Sequence, residues 1–141
     1  MRKYIYIILV LSLNFSFAQK EQAVYLSFNS KNDEFCQVQE KDRGRYHAVE
    51  NTKKYLKIEQ KNGEIDFYIC KELFTSKKEI DTCDRTYLNK IKISKIEELK
   101  KVVDKTNPLY PDKVFPNLYL VEELNDTTII KHKVRWKYYI E

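Results

Sequence analysis

The chain has 141 residues, with 26 Lys and Arg against 21 Asp and Glu, for a formal net charge of +5. That length suits one domain with a real core and is short for two. The basic excess is thin, and pairs such as Lys53-Lys54, Lys77-Lys78 and Lys100-Lys101 are scattered among Asp and Glu, so the one-faced patch of a nucleic-acid binder is missing and no nucleic acid is expected as a partner.

Residues 1–18 read as an export signal. Arg2 and Lys3 precede an apolar run from Tyr4 to Leu13, and Ser16-Phe17-Ala18 offers small residues at the two places signal peptidase inspects. The run is well short of the roughly 20 residues that span a bilayer. Cleavage before Gln19 leaves residues 19–141 as a single domain without a membrane span. A leaning toward Lys, Ile, Asn and Tyr, with only 2 Gly, matches bacterial proteins from AT-rich genomes, and export then means the periplasm or the outside.

In an oxidising compartment Cys36, Cys70 and Cys83 predict one disulfide and one free thiol. All three pairings are open. Cys70–Cys83 is favoured, because it would close a short loop just beyond a strand and stabilise by ~3 kcal/mol.

Val24-Tyr25-Leu26-Ser27-Phe28 alternates, with Val24, Leu26 and Phe28 on one side, and Asn29 to Asp33 supplies turn residues after it. A weaker strand from Phe35 to Glu40, a turn at Lys41-Asp42-Arg43-Gly44 and a third strand around Tyr46 to Glu50 follow. Asn62-Gly63 lies between Lys53–Lys61 and Glu64–Cys70, which predicts a hairpin on a two-residue type I′ turn. In that register Ile58 faces Phe67 and Leu56 faces Ile69. Leu56, Ile58, Ile65, Phe67 and Ile69 then share one face, and Glu59 falls opposite Asp66.

Lys71 to Lys90 reads as a long surface segment with at most a helical turn, and Ile91-Lys92-Ile93 as a brief strand. A helix follows, because Ser94 and Glu97 have capping-box spacing and Ile96, Leu99, Val102 and Val103 form one apolar stripe. Glu97, Glu98 and Lys105 suit its dipole, and Asn107-Pro108 should stop it. All 3 prolines, Pro108, Pro111 and Pro116, fall within the stretch 106–117, a stiff connection. Leu109, Tyr110, Val114 and Phe115 are expected to turn inward from it, although such a loop also suits recognition.

The clearest strand runs from Thr127 to Ile140. Ile130, Val134, Trp136, Tyr138 and Ile140 share one side with His132, and Lys131, Lys133, Arg135 and Lys137 take the other. Leu118 to Leu124 should be its partner. A three-residue loop is favoured because it adds Leu118, Leu120 and Leu124 to the apolar side, and it sets Glu122 opposite Ile130, diagonal to His132. The fold expected is α+β, a mostly antiparallel sheet of about six or seven strands with one main helix packed on one face.

Chemistry is sparse in this pattern. Glu122 and His132 make a polar pair on the inward face, which can move protons but more commonly just satisfies two buried groups. A small hydrolase or redox enzyme would have to bring Cys36, His47 or His132 to one cleft, yet there is no Cys-x-x-Cys and no close metal-ligand spacing. No catalytic residue, metal or cofactor is assigned. Basic and aromatic residues mix from Lys133 to Tyr139, but alternation sends Trp136 and Tyr138 away from the charges. The expected function is a non-catalytic exported binding or interaction module, with a protein or other envelope component as partner. A pocket between helix and curved sheet for a small apolar ligand is the other non-enzymatic reading.

Overall fold

The computed structural model describes residues 22–38, 41–42, 45–46, 50–77 and 81–138. The expected export signal, His47 and Ile140 lie outside the described residues. In chain order the strands are β1 (Val24–Phe28), β2 (Phe35–Val38), β3 (Lys41–Asp42), β4 (Arg45–Tyr46), β5 (Glu50–Lys53), β6 (Tyr55–Glu59), β7 (Glu64–Ile69), β8 (Glu72–Lys77), β9 (Asp81–Asp84), β10 (Ile93–Ser94), β11 (Leu118–Glu123) and β12 (Thr128–Lys137). Between them come a 3₁₀ helix (Arg85–Lys90), the main helix α1 (Ile96–Thr106) and a single turn, α2 (Pro111–Val114).

Long alternation makes β12 the centre of the main sheet, whose order is β10-β1-β11-β12-β8-β7-β6. β11 lies along one edge of β12. The other edge is divided, with β9 beside Thr128 to Lys131 and β8 beside Arg135 to Lys137. β1 runs parallel to both β10 and β11, so the sheet is mixed, while the α+β class with one main helix holds. β2 with β5 and β3 with β4 form two small separate ladders.

Strands far apart in that order meet across the interior. Phe28 of β1 contacts Tyr55 of β6 and Phe67 of β7 edge-to-face, with centroids 5.3 and 5.1 Å apart, so the sheet curls over on itself. Leu26, Phe74, Leu118, Leu120 and Trp136 fill the space between, and Ile96, Leu99 and Val103 of α1 close it. Each such side chain contributes about 1.5–3 kcal/mol by leaving water. On the opposite face the 3₁₀ helix covers a smaller group, in which Tyr25 stacks on Tyr119 at 5.4 Å and hydrogen-bonds to Tyr87 at 3.0 Å. Ile129 and Val121 are buried on this side as well.

The β6–β7 register departs from expectation by one residue, pairing Lys57 with Phe67 and Tyr55 with Ile69. Its loop has three residues, Lys61-Asn62-Gly63. Gly63 N–H donates to the Gln60 carbonyl at 3.0 Å, and only Gly63 takes a positive φ there, +84°. Asn62 instead accepts from Glu64 N–H through its side chain at 3.0 Å. A one-residue slip reverses both faces. Tyr55 and Lys57 therefore turn inward, and Leu56 and Ile58 turn outward, 44% and 40% exposed. Asp66 lies opposite Ile58 rather than Glu59, and takes a hydrogen bond from Gln60 at 2.6 Å.

The two-residue turn with both φ positive lies elsewhere, at Cys70 and Lys71, +49° and +70°, between β7 and β8. A side chain in this conformation costs about 1–2 kcal/mol per residue. Cys70 N–H to the Lys54 carbonyl, 2.9 Å, and Lys71 to Glu50, 2.6 Å, hold it in place. Lys71→Gly is accordingly expected to raise stability by about 1 kcal/mol after loss of the surface ion pair. Urea denaturation checks this, and a lower midpoint would mean that the ion pair outweighs the backbone strain.

The disulfide joins Cys36 to Cys70, not Cys70 to Cys83, and Cys83 is free. Lys54 explains the pairing, since its N–H donates to the Glu34 carbonyl at 2.8 Å while its carbonyl accepts from Cys70, which brings 36 and 70 to a Cα separation of 5.5 Å. Cys83 pairs with Ile129 near the start of β12, whereas Cys70 sits beyond the end where Leu73 meets Lys137. Eight residues of β12 at ~3.3 Å each keep them about 26 Å apart, far outside disulfide reach.

Most of Lys71 to Lys77, expected as surface, forms the β7–β8 turn and a core strand with Phe74 fully buried. Its helix cap also differs, for Lys95 is the N-cap of α1 and makes no side-chain cap, while Ser94 pairs with Leu26 in β10. Val102 is exposed. In the proline segment Pro111 starts α2 and is buried, Val114 and Phe115 meet the core, and Leu109 and Tyr110 face solvent.

Candidate functional site

β11 and β12 pair with Leu120 opposite His132 and Glu122 opposite Ile130. Glu122 and His132 are thus diagonal neighbours on the inner face, and Nε2 of the imidazole lies 3.3 Å from Oε2 of the carboxylate. Two further groups arrive from distant chain. Lys57 of β6, placed inside by the register of its hairpin, donates to Oε2 at 3.1 Å, and Ser30 after β1 donates to Oε1 at 3.1 Å.

The hydrogen bond from His132 lowers the Glu122 pKa from the usual 4.5 to about 2; burial opposes this, and Lys57 and Ser30 add to the lowering. An ionised carboxylate only accepts, so the proton on Nε2 belongs to His132. Nδ1 is buried with no hydrogen-bond partner among the described residues. The ring is 1% exposed and lies 4.8 Å from Phe67, over which the Lys57 ammonium also sits at 5.6 Å.

Both oxygens of Glu122 are occupied, and an acid of this strength holds no proton to donate near neutrality. The cluster works as an electrostatic tie between β11, β12, β6 and the end of β1. A partly buried ion pair held by further hydrogen bonds locks an arrangement more than it stabilises one.

The other sequence-derived candidates do not join it. Cys36 is half of a disulfide at the β7–β8 turn, His47 is outside the described residues, and Cys83 lies on the far side of β12, with Sγ 3.9 Å from Asp81. Among the described residues no three His, Cys, Asp or Glu side chains gather as a metal would require. Lys57 and Ser30 are the members the sequence concealed, and only the three-residue hairpin loop would have signalled that Lys57 points inward. Comparison with protein families, with curated proteins and with solved structures found no match for this chain.

Proposed function

We propose that the protein is a non-catalytic, exported interaction module, a single domain whose partner is a protein or other envelope component docking on the outward face of β6. One observation carries this reading. Leu56 and Ile58 point outward from the strand that ends the main sheet, and Leu56 is in register with Tyr68 and Leu73 across β7 and β8. Apolar side chains on a terminal strand favour association.

Export is supported by the disulfide, a bond that persists in oxidising compartments. No described helix is long and apolar enough to cross a membrane. An interior filled by Phe28, Phe67, Phe74 and Trp136 argues against an apolar-ligand pocket, and Cys36, held in the disulfide, is not available as a nucleophilic thiolate.

The test is capture from the exporting organism's envelope with the cysteines intact. A reproducible partner, lost on Leu56→Lys with Ile58→Lys, is the expected result. Capture that ignores both substitutions would place the docking face elsewhere, and no reproducible capture would overturn the proposal.

A further inference from the structure

β12 changes neighbours along one edge, from β8 beside Arg135 to Lys137 to β9 beside Thr128 to Lys131. Beyond the Arg135–Thr75 pair the strands are bridged by Ser76, whose hydroxyl donates to the Lys133 carbonyl at 2.8 Å. A cleft of about 520 Å³ opens here, within the range of small-ligand sites.

Its lining is strongly basic. Lys133, Arg135 and Lys137 alternate along one face of β12 at ~7 Å intervals. Lys77, the last residue of β8, lines the same cleft as Lys133. Like charges gathered in one cleft repel one another. Two carboxylates also line the cleft. Asp112 reaches Arg135 only at 3.9 Å, and Glu64 is the cross-strand partner of Lys77 on β7. Among the described residues Lys77, Lys133 and Lys137 have no ion pair or side-chain hydrogen bond. Among the described residues four cations thus line the cleft with two carboxylates, beside an apolar shelf made by Phe115 and Pro116.

We propose that this cleft binds a small multivalent oxyanion, a phosphoryl or polycarboxylate group, with the Arg135 fork gripping two oxygens and Lys77 and Lys133 neutralising the remainder. Planar bidentate recognition of this kind is what a guanidinium supplies. A bound anion offsets the mutual repulsion of these cations. The inference deepens the reading of the protein as a binding module and rests on it; the cleft opens on the same outward face of the sheet as Leu56 and Ile58, but on β8 and β12 rather than on β6.

The test titrates the disulfide-bonded protein with inorganic pyrophosphate and with citrate by calorimetry, at constant ionic strength set with chloride. Saturable one-site binding of at least one probe is expected. Affinity should fall at least tenfold in Lys133→Gln with Arg135→Gln, and likewise in Lys77→Gln with Lys133→Gln, while Lys61→Gln with Lys92→Gln matches the parent. Without ligand the cleft variants should melt at or above the parent temperature, since a repulsion has been removed. Pyrophosphate alone binding assigns a phosphoryl ligand, and citrate alone a carboxylate ligand. Binding of neither probe, or binding that survives both pairs of cleft substitutions, would overturn the proposal, and envelope capture through Leu56 and Ile58 would still stand by itself.

Discussion

Serine at both Cys36 and Cys70 is expected to lower the stability of the folded chain by roughly 4 kcal/mol, the entropy of an open loop of this size regained by the unfolded ensemble. The bond closes a sequence separation of 34 residues. It also holds the Cys70-Lys71 turn in its left-handed conformation and fastens the β2–β5 ladder to the main sheet, so its loss should loosen both. Cys83→Ser should leave the urea midpoint unchanged, because that thiol is already free. The reverse pattern, a large loss from Cys83→Ser, would overturn the Cys36–Cys70 assignment, and mapping the linked peptides gives an independent answer.

Glu122→Gln should remove a stabilisation on the order of 3 kcal/mol at neutral pH, since displacing a pKa from 4.5 to about 2 is worth ~1.4 kcal/mol per unit. The folded state holds the carboxyl proton less tightly than the unfolded state does. The contribution is therefore complete above the unfolded value near 4.5, shrinks as pH falls, and is gone below about 2. Urea denaturation between pH 7 and pH 2 should show the parent losing this advantage over the variant, with the two curves converging at the acid end. Parallel curves throughout would mean that His132, Lys57 and Ser30 do not hold the charge.

How far the sequence disclosed this fold depended on where each residue's partner lies. β11 and β12 were legible because both strands alternate over many residues, and only one loop length puts Leu118 and Leu120 with the apolar side of β12; Glu122 beside His132 followed from that register. The β6–β7 hairpin was not, because Asn-Gly suits a two-residue and a three-residue loop alike. Choosing between them requires knowing that an inward Lys57 meets Glu122, 65 positions away. β8 is hidden in the sequence for a similar reason. Glu72 and Ser76 flank Phe74 on its inner side, and their acceptability depends on a hydrogen bond from Trp136 Nε1 to Glu72 at 3.0 Å, on Lys100 of α1 at 2.8 Å from the same carboxylate, and on the Lys133 carbonyl for Ser76. A pattern of apolar spacing registers none of these. Sequence proximity favours Cys83 as the partner of Cys70, whereas main-chain hydrogen bonds through Lys54 set the geometry that joins Cys36 to Cys70.

The shared edge of β12 has a bearing on how the molecule assembles. One group of strands, β10, β1 and β11, and another, β8, β7 and β6, are hydrogen-bonded into one sheet through Thr128–Lys137, and Val24 pairs with Leu118 across most of the described chain. Contacts of such long range make for slow folding, in milliseconds to seconds rather than microseconds. A nascent polypeptide lacking Thr128–Lys137 has no strand on which the two groups can pair, so the sheet completes only after that segment emerges.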